Sequence, residues 1–93
     1  MSDIFDVGDE VRLFALFEDD EGDAVDPTVV SLSVRKPDGV SVPYTYPDGI
    51  QKDTVGAYHF DVTPDQAGYW QYEYSSSGNL TTSQTDYFIA KDE

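Results

Sequence analysis

Two alternating aromatic runs joined by a tight corner constrain the fold of this chain more than any other feature. Successive side chains of a strand point to opposite faces, so apolar residues two positions apart share one face. Six residues stand in this phase: Tyr58, Phe60 and Val62 before the corner, and Trp70, Tyr72 and Tyr74 after it. The opposite phase is largely polar, with His59, Asp61, Gln71 and Glu73. We therefore expect two half-buried strands at the centre of an all-β fold.

Further alternating runs predict five more strands, at 11–17, 30–34, 40–46, 50–52 and 80–90. Two Pro-Asp-Gly turns, at 37–39 and 47–49, help to separate them. Pro43 cannot donate to a β-ladder, so its strand is expected at a sheet edge or at a bulge. Residues 1–9 are interpreted as a lead-in. About seven strands without helical periodicity predict an immunoglobulin-like antiparallel β-sandwich, with a small β-barrel as the alternative.

The length of 93 residues fits one domain, which we expect to span 1–93. The chain has no cysteine, so neither disulfide bonds nor thiolate metal sites can hold it together. The N-terminus carries acids where a secretory signal has a basic region and an apolar core. No apolar run approaches the ~20 residues that a membrane span requires. We expect a soluble protein made in a cytoplasm.

The charge balance is strongly acidic, with 19 acidic and five basic residues and a formal net charge of −14. Such a field repels nucleic acids and anionic membranes, which proteins bind through clusters of Lys and Arg. We therefore expect neither nucleic acid nor a membrane as a partner. Molar salt would screen the self-repulsion of this charge, which favours a halophilic or marine source. A surface selected only for high solubility is the alternative.

Enzyme chemistry has few candidate residues in this chain. The sole histidine, His59, lies in the polar phase of its strand and is expected to be an ordinary surface residue. A general base also needs a cleft and an orienting partner, and nothing near His59 in the sequence specifies either. No nucleophile-elbow or phosphate-loop pattern is present. The sequence predicts that the protein is not an enzyme.

An acidic loop at 18–27 offers the only candidate metal ligands. They are weak candidates for Ca²⁺, which prefers several converging oxygen atoms: Asp19, Asp20, Glu21, Asp23 and Asp26. Their spacing does not match an EF-hand, so a solvated loop is the alternative and no cofactor is predicted.

Five apolar residues lie in the phase opposite the predicted core: Phe14, Leu16, Tyr69, Tyr87 and Ile89. Exposed apolar clusters commonly mark protein interfaces. If the first and last strands run side by side, these residues gather on one outer face and form a docking surface. A bulge that reverses the phase is the alternative.

Several short motifs carry a resemblance to known proteins. The segment DQAGYWQY (65–72) resembles the corner before the penultimate strand of immunoglobulin-like domains. DVGDEVRL (6–13), VDPTV (25–29), VRKPDG (34–39), and DGI (48–50) leading to GAY (56–58) occur in this order along the chain. In that order they resemble small single-domain, immunoglobulin-like structural proteins of tailed viruses, which are head-, neck- or tail-associated proteins of phages or haloarchaeal viruses.

The resemblance implies a non-catalytic virion protein. The preferred position in the particle is a capsid decoration or another head-associated subunit, and the neck or tail is the second choice. Its implied partners are the major capsid protein or other virion proteins, together with self-association in symmetric copies. The implied location is the virion, assembled in the host cytoplasm. The alternative function is a carbohydrate-binding or adhesion module that holds sugars on exposed tyrosines, assisted by calcium.

Overall fold

The computed structural model describes residues 4–92, and within that range the chain is all β. Eight strands are present: β1 (Ile4–Asp6), β2 (Val11–Leu16), β3 (Val29–Arg35), β4 (Ser41–Thr45), β5 (Gln51–Thr54), β6 (Ala57–Val62), β7 (Gly68–Ser77) and β8 (Thr82–Lys91). They form a five-stranded sheet in the order β1-β8-β7-β3-β4 and a three-stranded sheet in the order β2-β6-β5. The prediction of an all-β chain is confirmed. No helix of the described part could cross a membrane.

The two sheets share one hydrophobic core, to which both alternating aromatic runs contribute. Trp70 and Tyr74 from the five-stranded sheet are each 1% exposed. Trp70 stacks on Phe88 with ring centroids 5.6 Å apart. Phe17 meets the rings of Tyr58 and Tyr74 edge-on. The predicted inward phase is therefore confirmed, with Tyr58, Phe60, Trp70 and Tyr74 buried and Val62 and Tyr72 partly buried against them.

One buried hydrogen bond joins the two sheets directly. The Tyr74 hydroxyl on β7 donates to the carbonyl oxygen of Leu13 on β2 at 2.6 Å. Burial raises the pKa of the Tyr74 phenol, so the hydroxyl stays protonated and remains a donor at neutral pH.

Removing this hydroxyl should weaken the fold measurably. Tyr74→Phe is expected to lower the free energy of unfolding by about 1 kcal/mol, because one buried hydrogen bond is lost while the ring still fills its space. For a domain of this size the melting temperature should fall by roughly 4–8 °C. Urea unfolding followed by tryptophan fluorescence measures the change. Tyr69→Phe, on an exposed ring, is the matched control, and equal losses in both variants would contradict this role for the Tyr74 hydroxyl.

The interpretation of residues 1–9 as a lead-in is wrong for the part that the structure describes, while residues 1–3 lie outside the described residues. Ile4 pairs with Ile89 in a parallel ladder between β1 and β8. The Phe5 ring packs edge-on against Phe88 at 5.9 Å. A strand of three residues is too short to show an alternating pattern, so no sequence pattern indicates it.

The condition on which the single docking surface depends, that the first predicted strand runs beside the last, is not met. β2 belongs to the three-stranded sheet and β8 to the five-stranded sheet. The place beside β8 is taken by β1, through the pairing of Phe5 with Ala90. The prediction for Pro43 is confirmed, because β4 is an edge strand.

Candidate interaction surfaces

The five apolar residues predicted as an interface are all exposed, but they do not form one surface. Phe14 and Leu16, on β2, are 65% and 51% exposed on the outer side of the three-stranded sheet. Tyr69, Tyr87 and Ile89, on β7 and β8, lie on the outer side of the five-stranded sheet and are also exposed. The molecule therefore presents apolar side chains on two opposite faces.

The outer side of the five-stranded sheet is mapped by its strand register, because residues directly opposite each other in a ladder share a face. One row across the sheet contains Ile4, Ile89 and Tyr69. The next row contains Tyr87, Gln71, Arg35 and Ser41. A third row contains Thr85, Glu73, Ser33 and Pro43. We call these three rows the tyrosine face.

Two aromatic rings define the apolar part of the tyrosine face. Tyr69 and Tyr87 are stacked, with ring centroids 5.2 Å apart and planes inclined by 23°. Ile89 is paired directly with Tyr69, and Ile4 is paired with Ile89. These four side chains form a continuous exposed apolar patch across β1, β8 and β7.

Two open depressions of about 290 Å³ each adjoin on the tyrosine face, and both are lined by Arg35 and Gln71. The first also has Ser33, Ser41, Tyr72, Glu73 and Thr85 in its lining. The second also has Lys36, Pro37, Gly39 and Tyr69. Arg35 and Gln71 are therefore shared by the two depressions.

Arg35 differs from the other basic residues in its pairing. Four of the five basic side chains lie within 4.0 Å of a carboxylate: Arg12 with Asp61, Lys36 with Asp65, Lys52 with Asp26, and Lys91 with Asp6. Among residues 4–92, Arg35 alone has no such acidic partner. The sequence could not reveal this difference, because each pairing joins residues that are distant along the chain.

The second surface, which we call the β2 face, comprises Arg12, Phe14, Leu16, His59 and Asp61 on the outer side of the three-stranded sheet. The Arg12 guanidinium donates to both oxygens of Asp61, at 2.8 and 3.1 Å. This pair raises the pKa of Arg12 and holds the pKa of Asp61 below its usual range. The Phe14 ring lies beside the His59 imidazole, with ring centroids 6.3 Å apart.

The prediction that His59 is an ordinary surface residue is wrong, because its residue exposure is only 9%. Its Nδ1 lies 2.8 and 2.9 Å from the two carboxylate oxygens of Asp53 on β5. Its Nε2 lies 4.0 Å from Asp61. Carboxylates thus stand on both sides of the imidazole, and the contact with Asp53 ties the edge strand β5 to β6. Cross-strand neighbours created this burial, which alternation within one strand could not predict.

The acidic candidates for a calcium site do not converge. The Asp19 carboxylate accepts the backbone N–H groups of Glu21 and Asp23 at 2.9 and 3.0 Å, closing its own turn. Asp26 accepts from Lys52 Nζ at 2.6 Å and from the Gly56 N–H at 2.8 Å. Within residues 4–92, no three His, Asp or Glu side chains are arranged to hold a metal ion.

Asp26 instead anchors the acidic loop to β5 and β6. The Lys52 ammonium and the Gly56 N–H lower the pKa of the Asp26 carboxyl. A carboxyl whose pKa is lower in the folded state stabilises the fold above its unfolded pKa, and that stabilisation is lost as the pH falls through the folded pKa. Asp26→Asn should therefore lower the melting temperature at pH 7. The difference in melting temperature between this variant and wild type should shrink as the pH falls below about 3.8, the ordinary pKa of an aspartate.

Melting curves between pH 2.5 and pH 7 measure this effect. The exposed neighbour Asp20 provides the matched control, and Asp20→Asn should follow wild type throughout. A melting-temperature difference for Asp26→Asn that is the same at every pH would contradict the assigned role of its charge.

Comparison with known proteins found no match among family models, curated proteins or solved structures. The viral resemblance therefore stays a prediction, and the two surfaces are the features of the molecule that bear on its function.

Proposed function

We propose that this protein is a non-catalytic structural subunit of a tailed-virus particle, placed first as a capsid decoration or other head-associated protein and next in the neck or tail. The observation that carries the proposal is the exposure of apolar side chains on both outer faces of a very acidic chain. The tyrosine face carries Tyr69, Tyr87 and Ile89, and the β2 face carries Phe14 and Leu16.

Paired apolar surfaces suit a subunit that is packed between neighbours. Single exposed apolar residues are normal on any protein, whereas contiguous groups mark interaction sites. On the tyrosine face the apolar side chains are contiguous across three strands. With one face on the viral shell and the other on an adjacent subunit, both groups become buried in the virion. Repetition in symmetric copies then strengthens attachment even if each contact is weak.

The strand order supports an immunoglobulin-like fold as part of this proposal. In immunoglobulin-like sandwiches the second, fifth and fourth strands form part of one sheet and the third, sixth and seventh form the other. In this chain β1 takes the place of the first immunoglobulin strand, and it is short and lies beside the last strand. The strands β2, β6 and β5 then correspond to the first of these sheets, and β3, β7 and β8 correspond to the second. The edge strand β4 is then an addition next to β3. This arrangement leaves the outer sides of both sheets free for contacts.

Incorporation into particles tests the proposal. Phe14→Glu and Tyr87→Glu should each reduce the amount of the protein in purified virions by about tenfold or more, because each places a charge at the centre of an apolar contact. Quantitative mass spectrometry of particles assembled with each variant measures the amount. Val40→Glu is the matched control, since Val40 is 53% exposed but lies in a turn off both faces. Normal incorporation of both test variants would contradict docking through these faces.

Carbohydrate binding is the second candidate function, favoured by the stacked Tyr69 and Tyr87 rings beside the depression at Arg35 and Gln71. Aromatic rings next to hydrogen-bonding side chains can hold a sugar ring. A glycan array probed with wild type and Tyr69→Ala, with and without calcium, separates this function from the first. Binding that is lost in Tyr69→Ala supports it, and no binding to any glycan rejects it.

A further inference from the structure

We propose that the tyrosine face is a two-fold self-association surface on which Arg35 of one copy pairs with Glu73 of a second copy. This inference does not depend on a place in a virion. It rests on the charge of the face, on the relative positions of the two residues and on the apolar patch beside them.

The charge of the face is the first argument. The outward-pointing residues of the five-stranded sheet include only two acids and two bases: Asp6, Glu73, Arg35 and Lys91. Their charges sum to zero, although the whole chain carries −14. Lys91 and Asp6 pair with each other at 3.7 Å at one end of the sheet. This face can therefore approach a second copy with little like-charge repulsion across the contact.

The pairing of the two remaining charges is the second argument. Arg35 has no acidic partner within 4.0 Å among residues 4–92. Glu73 is exposed, and its hydrogen bond on the face is a long one of 3.4 Å from the Thr85 hydroxyl. Within one copy, the Arg35 guanidinium and the Glu73 carboxylate do not pair with each other. Each can therefore form an ion pair with the oppositely charged group of a second copy.

The positions of these charges fit a two-fold axis. Arg35 is opposite Gln71 and Ser33 is opposite Glu73, so Arg35 and Glu73 lie on adjacent strands, one row apart. Strands lie ~4.8 Å apart and alternate residues ~6.8 Å apart along a strand. Consider a two-fold axis that lies in the contact plane, passes midway between Arg35 and Glu73 and is perpendicular to the line joining them. This axis places Arg35 of each copy against Glu73 of the other. Two equivalent ion pairs then form, as an isologous contact requires.

The same axis brings apolar groups together. With these strand and residue spacings, the two-fold axis runs diagonally across the face, over Tyr87 and on toward Ile4. Tyr87 of each copy therefore meets Tyr87 of the other, with Ile4 and Ile89 beside them. The charged pairs fix the register of the contact, and the exposed aromatic and aliphatic side chains supply the area that is removed from water.

Salt should strengthen this association. Two copies that each carry −14 repel one another at long range, and the Debye length falls from ~10 Å at 0.1 M to ~3 Å at 1 M salt. The apolar contact and the close ion pairs persist under that screening. We expect the dimer dissociation constant to fall by tenfold or more between 0.05 and 1 M NaCl.

Sedimentation velocity across a concentration series in 1 M NaCl tests the proposal with the protein alone. Arg35→Glu and Glu73→Arg should each weaken the dimer by at least tenfold, because each places like charges in contact twice. The double variant Arg35→Glu/Glu73→Arg restores opposite charges and should return to within about threefold of wild type. Val55→Ser, at a 54% exposed position in the turn between β5 and β6, should dimerise like wild type. Circular dichroism confirms that each variant is folded.

Any of four outcomes would overturn the inference. Wild type could remain monomeric at millimolar concentration in 1 M NaCl, the double variant could fail to regain association, or Val55→Ser could weaken it as much as Arg35→Glu. A monomer that binds a glycan through Arg35 would likewise assign the face to another occupant. A monomeric protein that is nevertheless found in virions would overturn this inference alone and leave the proposed function standing.

Discussion

Replacing Trp70 with alanine is expected to lower the free energy of unfolding by about 3–5 kcal/mol, a large share of the ~5–15 kcal/mol that stabilises a domain. Trp70 is 1% exposed and stacks on Phe88 between the two sheets. Its indole N–H donates to the Gln66 carbonyl at 3.0 Å, which holds the corner before β7. Truncation leaves a cavity in the shared core and also removes this hydrogen bond. The melting temperature should fall by more than about 10 °C.

Tyr87→Ala is the control for Trp70→Ala, because Tyr87 is a large aromatic residue of the same sheet that points outward. Its removal should lower the free energy of unfolding by no more than about 1.5 kcal/mol in the monomer, chiefly through loss of the stack with Tyr69. Chemical unfolding followed by circular dichroism compares the two variants without relying on Trp70 fluorescence. Similar losses in both would mean that Trp70 does not anchor the core.

Gly56→Ala should be the next most damaging substitution, at about 2–5 kcal/mol. Gly56 has φ +76°, a conformation that costs other residues roughly 1–2 kcal/mol. An added Cβ would also lie 2.6 Å from the Phe17 carbonyl oxygen and 3.0 Å from the Val25 backbone nitrogen. Both contacts are backbone atoms that cannot move aside without disturbing the loop. Overpacking of this kind adds about 1–3 kcal/mol.

Gly22→Ala separates the conformational cost from the clash. Gly22 has φ +85°, and no atom of residues 4–92 lies within 4 Å of an added Cβ. It should lose only the roughly 1–2 kcal/mol of conformational strain. Urea unfolding of both variants gives the difference, and equal losses at the two positions would show that the close approach at Gly56 has no energetic consequence.

The core could be predicted because its signal is local. Alternation within a single strand identified Tyr58, Phe60, Trp70 and Tyr74 as inward residues, and all four are buried. In a strand with one face buried, whether an aromatic side chain is buried depends largely on which face its position in the alternation points to. The sequence of that one strand is therefore enough to predict it. The exposure of Phe14 followed from the same rule.

What could not be predicted depends on contacts between strands that are far apart in sequence. The position of β2 in the three-stranded sheet places Phe14 and Tyr87 on opposite sides of the molecule, and no local pattern specifies that choice. His59 is buried because Asp53 and Phe14, on two neighbouring strands, approach it. Within residues 4–92, the lack of a carboxylate within 4.0 Å of Arg35 is likewise a property of cross-strand register.

Reconstruction of intact virus particles at side-chain resolution would show directly whether this domain docks through its outer faces. We expect density for the domain on the particle, with the tyrosine face or the β2 face buried against a neighbouring subunit and the acidic loop at 18–27 exposed to solvent. Particles that lack the domain, or a bound domain with both faces open to solvent, would contradict docking through these faces.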